Sequence, residues 1–137
     1  MEENKFKNLI ALAKSLQELD PDRSDFWKGF QRGIHRLHHG KKFGTESEHE
    51  MYLSCAANGG DVYRKQLQTG YRAGYYYDQI KIEEGAKDIQ PLRRMLELSV
   101  GEIADIAAVS PRTVEGWEQG KIMSKAPQQL IKKYFMI

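Results

Sequence analysis

A set of residues near the carboxyl end of the sequence has types and spacing that place hydrogen-bonding groups on one face of a helix. The set comprises Arg112, Thr113, Glu115, Gly116 and Gln119, and it falls on the outer face of a predicted helix. An α-helix fits the major groove of B-DNA, where arginine, glutamine and threonine meet base edges and a glutamate accepts from cytosine. The same glutamate repels phosphate if it is misplaced. The chemistry that this pattern indicates is recognition and not a reaction.

The ends and the inner side of this helix can also be predicted. Ser110 is a good N-cap and Pro111 suits the first helical position. Val114 and Trp117, three residues apart, fall on the inner side and are expected to be buried anchors. Gly120 is expected to close the helix.

Two short helices are predicted just before it. The first has Leu92, Leu96 and Leu98 on its inner side and ends near Ser99. Ser99 then caps the second helix, and Glu102 three residues later completes a capping box. Inward positions of that helix are Ile103, Ala104 and Ala107. A tight turn joins the second of these helices to the helix capped by Ser110, and the small Ala104 is expected where the two cross. Two short helices joined in this way form the geometry of a DNA-binding helix-turn-helix.

Residues 89–124 resemble the Cro/cI-type (Xre) helix-turn-helix of bacterial and phage repressors, a family that includes many antitoxin regulators. The matching residues are Leu92-Arg93, Leu98-Ser99, Glu102-Ile103-Ala104, Val109-Ser110, Thr113-Val114 and Trp117-Glu118-x-Gly120. The resemblance implies a small lambda-repressor-like bundle with a structural ion pair between Arg93 and Glu118. The family usually has glutamine where Val100 stands, so phosphate anchoring there would fall to backbone amides and Ser99.

The resemblance and the helix pattern together give a set of expected DNA contacts. These are Ser99, Ser110, Pro111, Arg112, Thr113, Glu115, Gly116, Gln119 and Lys121. The family also favours glycine in the turn at Ala108, where a positive φ costs an alanine about 1 kcal/mol.

The four histidines lie in the N-terminal half of the chain, and two of them are one helical turn apart. They are His35, His38, His39 and His49. The half lacks a His-Glu-x-x-His motif and paired cysteines, so we predict neither a metal site nor a cofactor. We expect two of the histidines to form a basic, solvated helix face with Lys28, Arg32 and Arg36. Such a face would be available to DNA backbone flanking an operator.

Two glycine pairs with the spacing Gly-x-x-x-Gly lie within predicted helices. They are Gly29 with Gly33, and Gly70 with Gly74. Glycines four apart let two helices approach closely, which offsets the ~1 kcal/mol that each costs inside a helix. We expect these helices to pack together, within one chain or across a dimer. Tyr71 and Tyr75 lie in a tyrosine-rich stretch of the helix that contains Gly70 and Gly74. We assign them to this packing or to a dimer interface.

Helical spacing of apolar residues recurs along the chain, and no strand alternation or hairpin signal appears. The predicted fold is all-α. Four N-terminal helices are expected at about residues 4–19, 24–40, 45–57 and 61–77. Residues 1–80 form a dimerisation or partner-binding region, residues 81–88 a polar linker, and residues 89–137 the helix-turn-helix domain.

Bulk properties leave the partner open. The 137 residues carry a net charge of +2, with twelve basic against eleven acidic residues in positions 1–80. Attraction to nucleic acid would therefore depend on local clustering of charge. Cys55 is the single cysteine, the N-terminus has no basic signal region, and no apolar run approaches a membrane span. We expect a cytoplasmic protein without a membrane partner.

The leading expectation is a prokaryotic or phage transcriptional regulator of repressor type that binds a palindromic operator in double-stranded DNA as a homodimer. The alternative is an antitoxin-like module whose N-terminal helices sequester a toxin-like protein. An enzyme is not expected, because the sequence has no nucleophile–base pattern, phosphate loop or metal signature.

Overall fold

A computed structural model describes residues 1–54 and 65–137. The regular structure of these residues is helical and contains no strand, which confirms the all-α fold. In chain order the helices are α1 (Glu3–Leu19), α2 (Ser24–His39), α3 (Glu46–Ser54), α4 (Gln66–Tyr75), α5 (Ala86–Leu96), α6 (Val100–Ala107), α7 (Pro111–Glu118) and α8 (Lys125–Phe135). None of the described helices has the length and apolar character to cross a membrane.

The chain divides into two compact units, Met1–Tyr77 and Asp78–Ile137. The boundary between the two units therefore lies before the linker predicted at residues 81–88. Ile82, inside that stretch, is buried, and Gly85, with φ of 66°, begins α5 at Ala86. The first helical residues of the second unit therefore lie where the sequence predicted a linker. The reason is that the buried Ile80 and Ile82 alternate with exposed polar residues and so give no helical periodicity in the sequence.

The first unit is built on close contact between α2 and α4 through their glycines. A Cβ atom added at Gly29 would lie 2.1 Å from the carbonyl oxygen of Leu67, and one at Gly70 would lie 2.0 Å from that of Phe26. The second glycine of each pair stands equally close to the opposite backbone. The predicted packing of the two glycine pairs is thus present, and it occurs within one chain.

Around this contact the unit has an aromatic core. The buried residues of α2 include Phe26, Trp27, Phe30 and Ile34, and α1 adds Phe6, Leu9, Ile10 and Ala13. Complete burial of one such large side chain stabilises the fold by about 1.5–3 kcal/mol. A hydrogen bond of 2.8 Å from Gln31 Nε2 to Gln17 Oε1 joins α2 to α1 beside the core.

The basic, solvated face predicted on α2 is wrong for Arg36, which is buried, whereas Arg32 is partly exposed. Arg36 is only 5% exposed and donates to the carbonyl oxygen of Phe43 at 2.9 Å and to Glu46 at 2.7 Å. Its hydrogen bond holds the pKa of the Glu46 carboxyl below the ordinary value. Arg32 is paired with Glu48. Both acidic partners lie on α3. The arginines of the face that the sequence predicted to be basic and solvated are therefore neutralised by the next helix.

His38 and His49 also contact other residues of the first unit. The His38 ring stacks on Phe6 at 4.1 Å, and its Nε2 lies 2.8 Å from a carboxylate oxygen of Glu3. His49 is buried, and its Nδ1 lies 2.7 Å from the Tyr71 hydroxyl. Within residues 1–54 and 65–137, no three His, Cys, Asp or Glu side chains cluster as metal ligands would.

Tyr71 belongs to the core of one chain and not to a dimer interface. It is buried, and its ring stacks on Tyr52 at 4.4 Å. Burial raises the pKa of its phenol to about 12. Tyr75, half-buried, contacts the His49 ring edge-to-face at 4.6 Å. Of the two roles considered for these tyrosines, helix packing is therefore the one observed for Tyr71.

Some predicted helix ends differ from the observed ones or cannot be compared with them. The predicted C-terminal part of α3, to Ala57, and the predicted start of α4 at Asp61 fall outside the described residues. The end of α4 is observed at Tyr75, two residues before the predicted end.

Candidate nucleic-acid interface

The second unit contains the helix-turn-helix, formed by α6, a short turn and α7. Ser99 Oγ accepts from the Glu102 amide at 3.1 Å, while Glu102 Oε1 accepts from the Ser99 amide at 3.0 Å. This is the predicted capping box, and it fixes where α6 begins. The helix ends in a left-handed residue, Ala108, with φ of 57°. The chain then turns directly into α7.

The start of α7 matches its sequence signals. Ser110 is the N-cap, and its Oγ accepts from the Thr113 amide at 3.3 Å and lies 3.0 Å from the Thr113 hydroxyl. Pro111 occupies the first helical position, where no amide hydrogen is needed. Val114 and Trp117 are buried, as predicted. The helix is therefore held from behind by two apolar anchors.

The opposite side of α7 is exposed and polar. Its polar face, as we call it here, consists of Arg112, Thr113, Glu115 and Gln119, all exposed. The side chains of Arg112, Glu115 and Gln119 make no hydrogen bond or ion pair with any residue in the described ranges. Ser110 and Pro111 are exposed at the end of this face. The structure thus brings six of the predicted contact residues together on one helix.

Gly116 does not belong to the exposed surface, so its predicted place there is wrong. It is buried because the chain turns back after α7 and the aliphatic stem of Lys121 covers it. The Lys121 amide donates to the Gly116 carbonyl oxygen at 3.0 Å. Gly120, with φ of 102°, permits this reversal.

A shallow depression of about 290 Å³ lies beside the polar face. Its lining consists of Ser110, Arg112, Thr113, Gly116, Trp117, Lys121 and Ile122. Ile122 is 94% exposed, and sequence reasoning did not single it out. The available signal was an apolar residue placed directly after Gly120-Lys121, at the end of the predicted helix.

The ion pair implied by the resemblance is present. Arg93 Nε on α5 donates to Glu118 Oε1 on α7 at 2.7 Å. Ser99, the remaining predicted contact, is half-buried and its hydroxyl is used in the capping box. At the other side of the unit, Ile131 and Phe135 of α8 are buried, and Gln128 Nε2 donates to the Ile82 carbonyl oxygen at 2.9 Å.

No protein-family model, curated protein or solved structure matches the chain. The resemblance to Cro/cI-type regulators accordingly depends on the quoted residues alone.

Proposed function

We propose that this protein binds double-stranded DNA in a sequence-specific manner through α7. The observation that carries the proposal is the polar face of α7: charged and amide side chains are exposed on a helix that is anchored by Val114 and Trp117. In the major groove, an arginine pairs with guanine and a glutamine pairs with adenine, each through two hydrogen bonds.

The wider role that fits this chemistry is regulation of transcription, with a homodimer on a palindromic operator. Two copies of α7, related by a two-fold axis, would reach half-sites about 10 base pairs apart. The near-zero charge of the chain means that attraction to phosphates must come from local groups such as Arg112 and Lys121.

The decisive experiment is selection of binding sites from random duplexes by the full chain. We expect an inverted repeat from the wild type and its loss with Arg112→Ala. Arg94→Ala is the matched control, since Arg94 is also exposed but lies on α5. If the wild type recovers no common sequence and binds all duplexes within a few-fold of one another, the proposal fails.

Glu115 gives a second, independent arm of that test. Its carboxylate accepts from cytosine in the correct register and repels phosphate in any other. Glu115→Gln should therefore tighten binding to random duplexes and weaken discrimination for the selected site. Fluorescence anisotropy at two salt concentrations would measure both effects. If the Glu115→Gln protein prefers the selected site over random duplexes as strongly as the wild type does, Glu115 does not contact the DNA.

A second candidate function, capture of a partner protein by the first unit, is favoured by one observation. An open groove of about 630 Å³ is lined by Lys28, Gln31, Arg32, His35, Phe43, Glu48, Met51, Tyr52 and Leu67. Met51 is exposed there. If the groove captures a toxin-like protein, a protein that co-purifies from the native host should be lost with Met51→Glu while DNA affinity is retained.

A further inference from the structure

On the exposed side of α7, position 116 has no side chain, and Lys121, from the segment after the helix, lies over it. Arg112 and Thr113 lie four and three residues before Gly116, so all three share one side of the helix. Glycine offers no side chain there. A Cβ atom added at Gly116 would lie 3.1 Å from Lys121 Cδ, 3.8 Å from Cε and 3.9 Å from Cγ. The lysine stem therefore borders the space where a side chain of residue 116 would begin, and a larger residue there would displace it.

From this arrangement, and on the basis of the proposed DNA binding, we infer that Lys121 is a specificity-determining residue that contacts guanine in the major groove. Lys121 is exposed, although its stem rests on Gly116, so its ammonium group is available to a ligand. It forms no ion pair with the residues of the described ranges. Guanine presents two acceptors, N7 and O6, to such a donor.

The placement of the stem separates this role from that of an ordinary phosphate-binding lysine. A free lysine on a loop samples many rotamers and neutralises charge without regard to sequence. The Lys121 stem lies against the helix backbone at Gly116, and the backbone hydrogen bond from its own amide holds the base of the side chain. The stem thereby lies on the same side of α7 as Arg112 and Thr113, and all three residues line one depression.

Two substitutions test the inference in opposite ways. Lys121→Met keeps the aliphatic stem and removes the ammonium. Gly116→Leu keeps the ammonium but displaces the stem from its place against the helix backbone. Both should lose preference for guanine at the same base pair of each half-site, by roughly 5- to 100-fold, with the remaining consensus retained. Lys125→Met is the matched control, because Lys125 is exposed on α8, and it should leave the consensus unchanged.

Binding-site selection followed by anisotropy with single-base variants of the consensus separates the outcomes. Loss of guanine preference at one shared base pair in both variants supports the inference. A uniform loss of affinity in Lys121→Met, with an intact consensus, makes Lys121 a phosphate contact and overturns the inference while DNA binding stands. Absence of any consensus with the wild type overturns this inference together with the proposed function.

Discussion

Arg93 and Glu118 connect the back of α7 to α5 through a hydrogen bond of 2.7 Å between Arg93 Nε and Glu118 Oε1. Their side chains are 21% and 15% exposed, so the pair is largely shielded from water. Arg93 also donates to the Leu98 carbonyl oxygen at 3.2 Å. One guanidinium thus links α5, the loop that contains Leu98, and α7.

Removal of the carboxylate of this pair should destabilise the second unit. Glu118→Ala leaves the Arg93 guanidinium with a single carbonyl partner, and loss of a charge-assisted hydrogen bond costs about 1.5–3 kcal/mol. Urea unfolding, followed by Trp117 emission in a Trp27→Phe background, measures this change. Glu115→Ala is the control on the same helix: Glu115 is exposed and should change the free energy of unfolding by less than about 0.5 kcal/mol. Equal effects of the two substitutions would show that the pair adds nothing.

Addition of one methyl group between α2 and α4 should destabilise the first unit. In Gly70→Ala the new Cβ would lie 2.0 Å from the Phe26 carbonyl oxygen, a backbone atom that moves only with its helix. Overpacking of this kind costs about 1–3 kcal/mol, more than the ~1 kcal/mol that alanine gains in helix propensity. Thermal unfolding monitored by Trp27 emission in a Trp117→Phe background provides the measurement.

The control for this substitution is Gly101→Ala in α6. Its Cβ would meet only Ser99 Oγ, at 3.8 Å, which is an ordinary contact. Because Gly101 lies in the second unit, this control is read from Trp117 emission in a Trp27→Phe background, and we expect it to be neutral or to stabilise that unit by up to about 1 kcal/mol. A Gly70→Ala protein that melts at or above the wild-type temperature would contradict the close approach of the two helices.

The capping box of α6 can be tested against an N-cap that makes no side-chain hydrogen bond. Ser99→Ala removes the acceptor for the Glu102 amide and should cost about 0.5–2 kcal/mol. Ser124, the N-cap of α8, makes no such bond, so Ser124→Ala should cost less. Urea midpoints from Trp117 emission would rank the two. The reverse ranking would mean that the Ser99 cap does not stabilise α6.

Acidification should destabilise the first unit through His49. Burial lowers the pKa of His49 below its ordinary value of 6.5. The unfolded chain therefore takes up this proton more readily than the folded protein does, and stability falls as the pH drops below about 6.5. Burial also lowers the pKa of His35, with a smaller contribution from His39, in the same direction.

The measurement is the unfolding free energy of the first unit between pH 7.5 and 5. His49→Gln should flatten the dependence, and addition of His35→Gln should flatten it further. A slope that neither substitution changes would show that protonation of these two rings is not linked to unfolding.

Local sequence was sufficient to predict the helix-turn-helix. Ser99 with Glu102 and Ser110 with Pro111 are signals that act within one helical turn, so the segment itself specifies where α6 and α7 begin. The left-handed conformation of Ala108 follows from the tight turn between them. Periodic apolar residues such as Val114 and Trp117 identified the buried side of α7.

Pairing between distant segments was only partly visible in the sequence. The glycines of α2 and α4 indicated close helix contact, yet their spacing is the same for a contact within one chain and for a contact between two. The tertiary structure decided this, because the Leu67 carbonyl oxygen of the same chain stands where a Cβ at Gly29 would be.

The sequence by itself determined the helices, their caps and the polar side of α7, since these depend on neighbours three or four residues away. Only the tertiary structure decided which charged and polar groups are free. Arg36 is neutralised by Glu46 and Gly116 is covered by Lys121 because the chain folds back over them. A helical projection shows only the residues of one helix. It does not show which distant segments will fold back over that helix, because this depends on the packing of the whole unit.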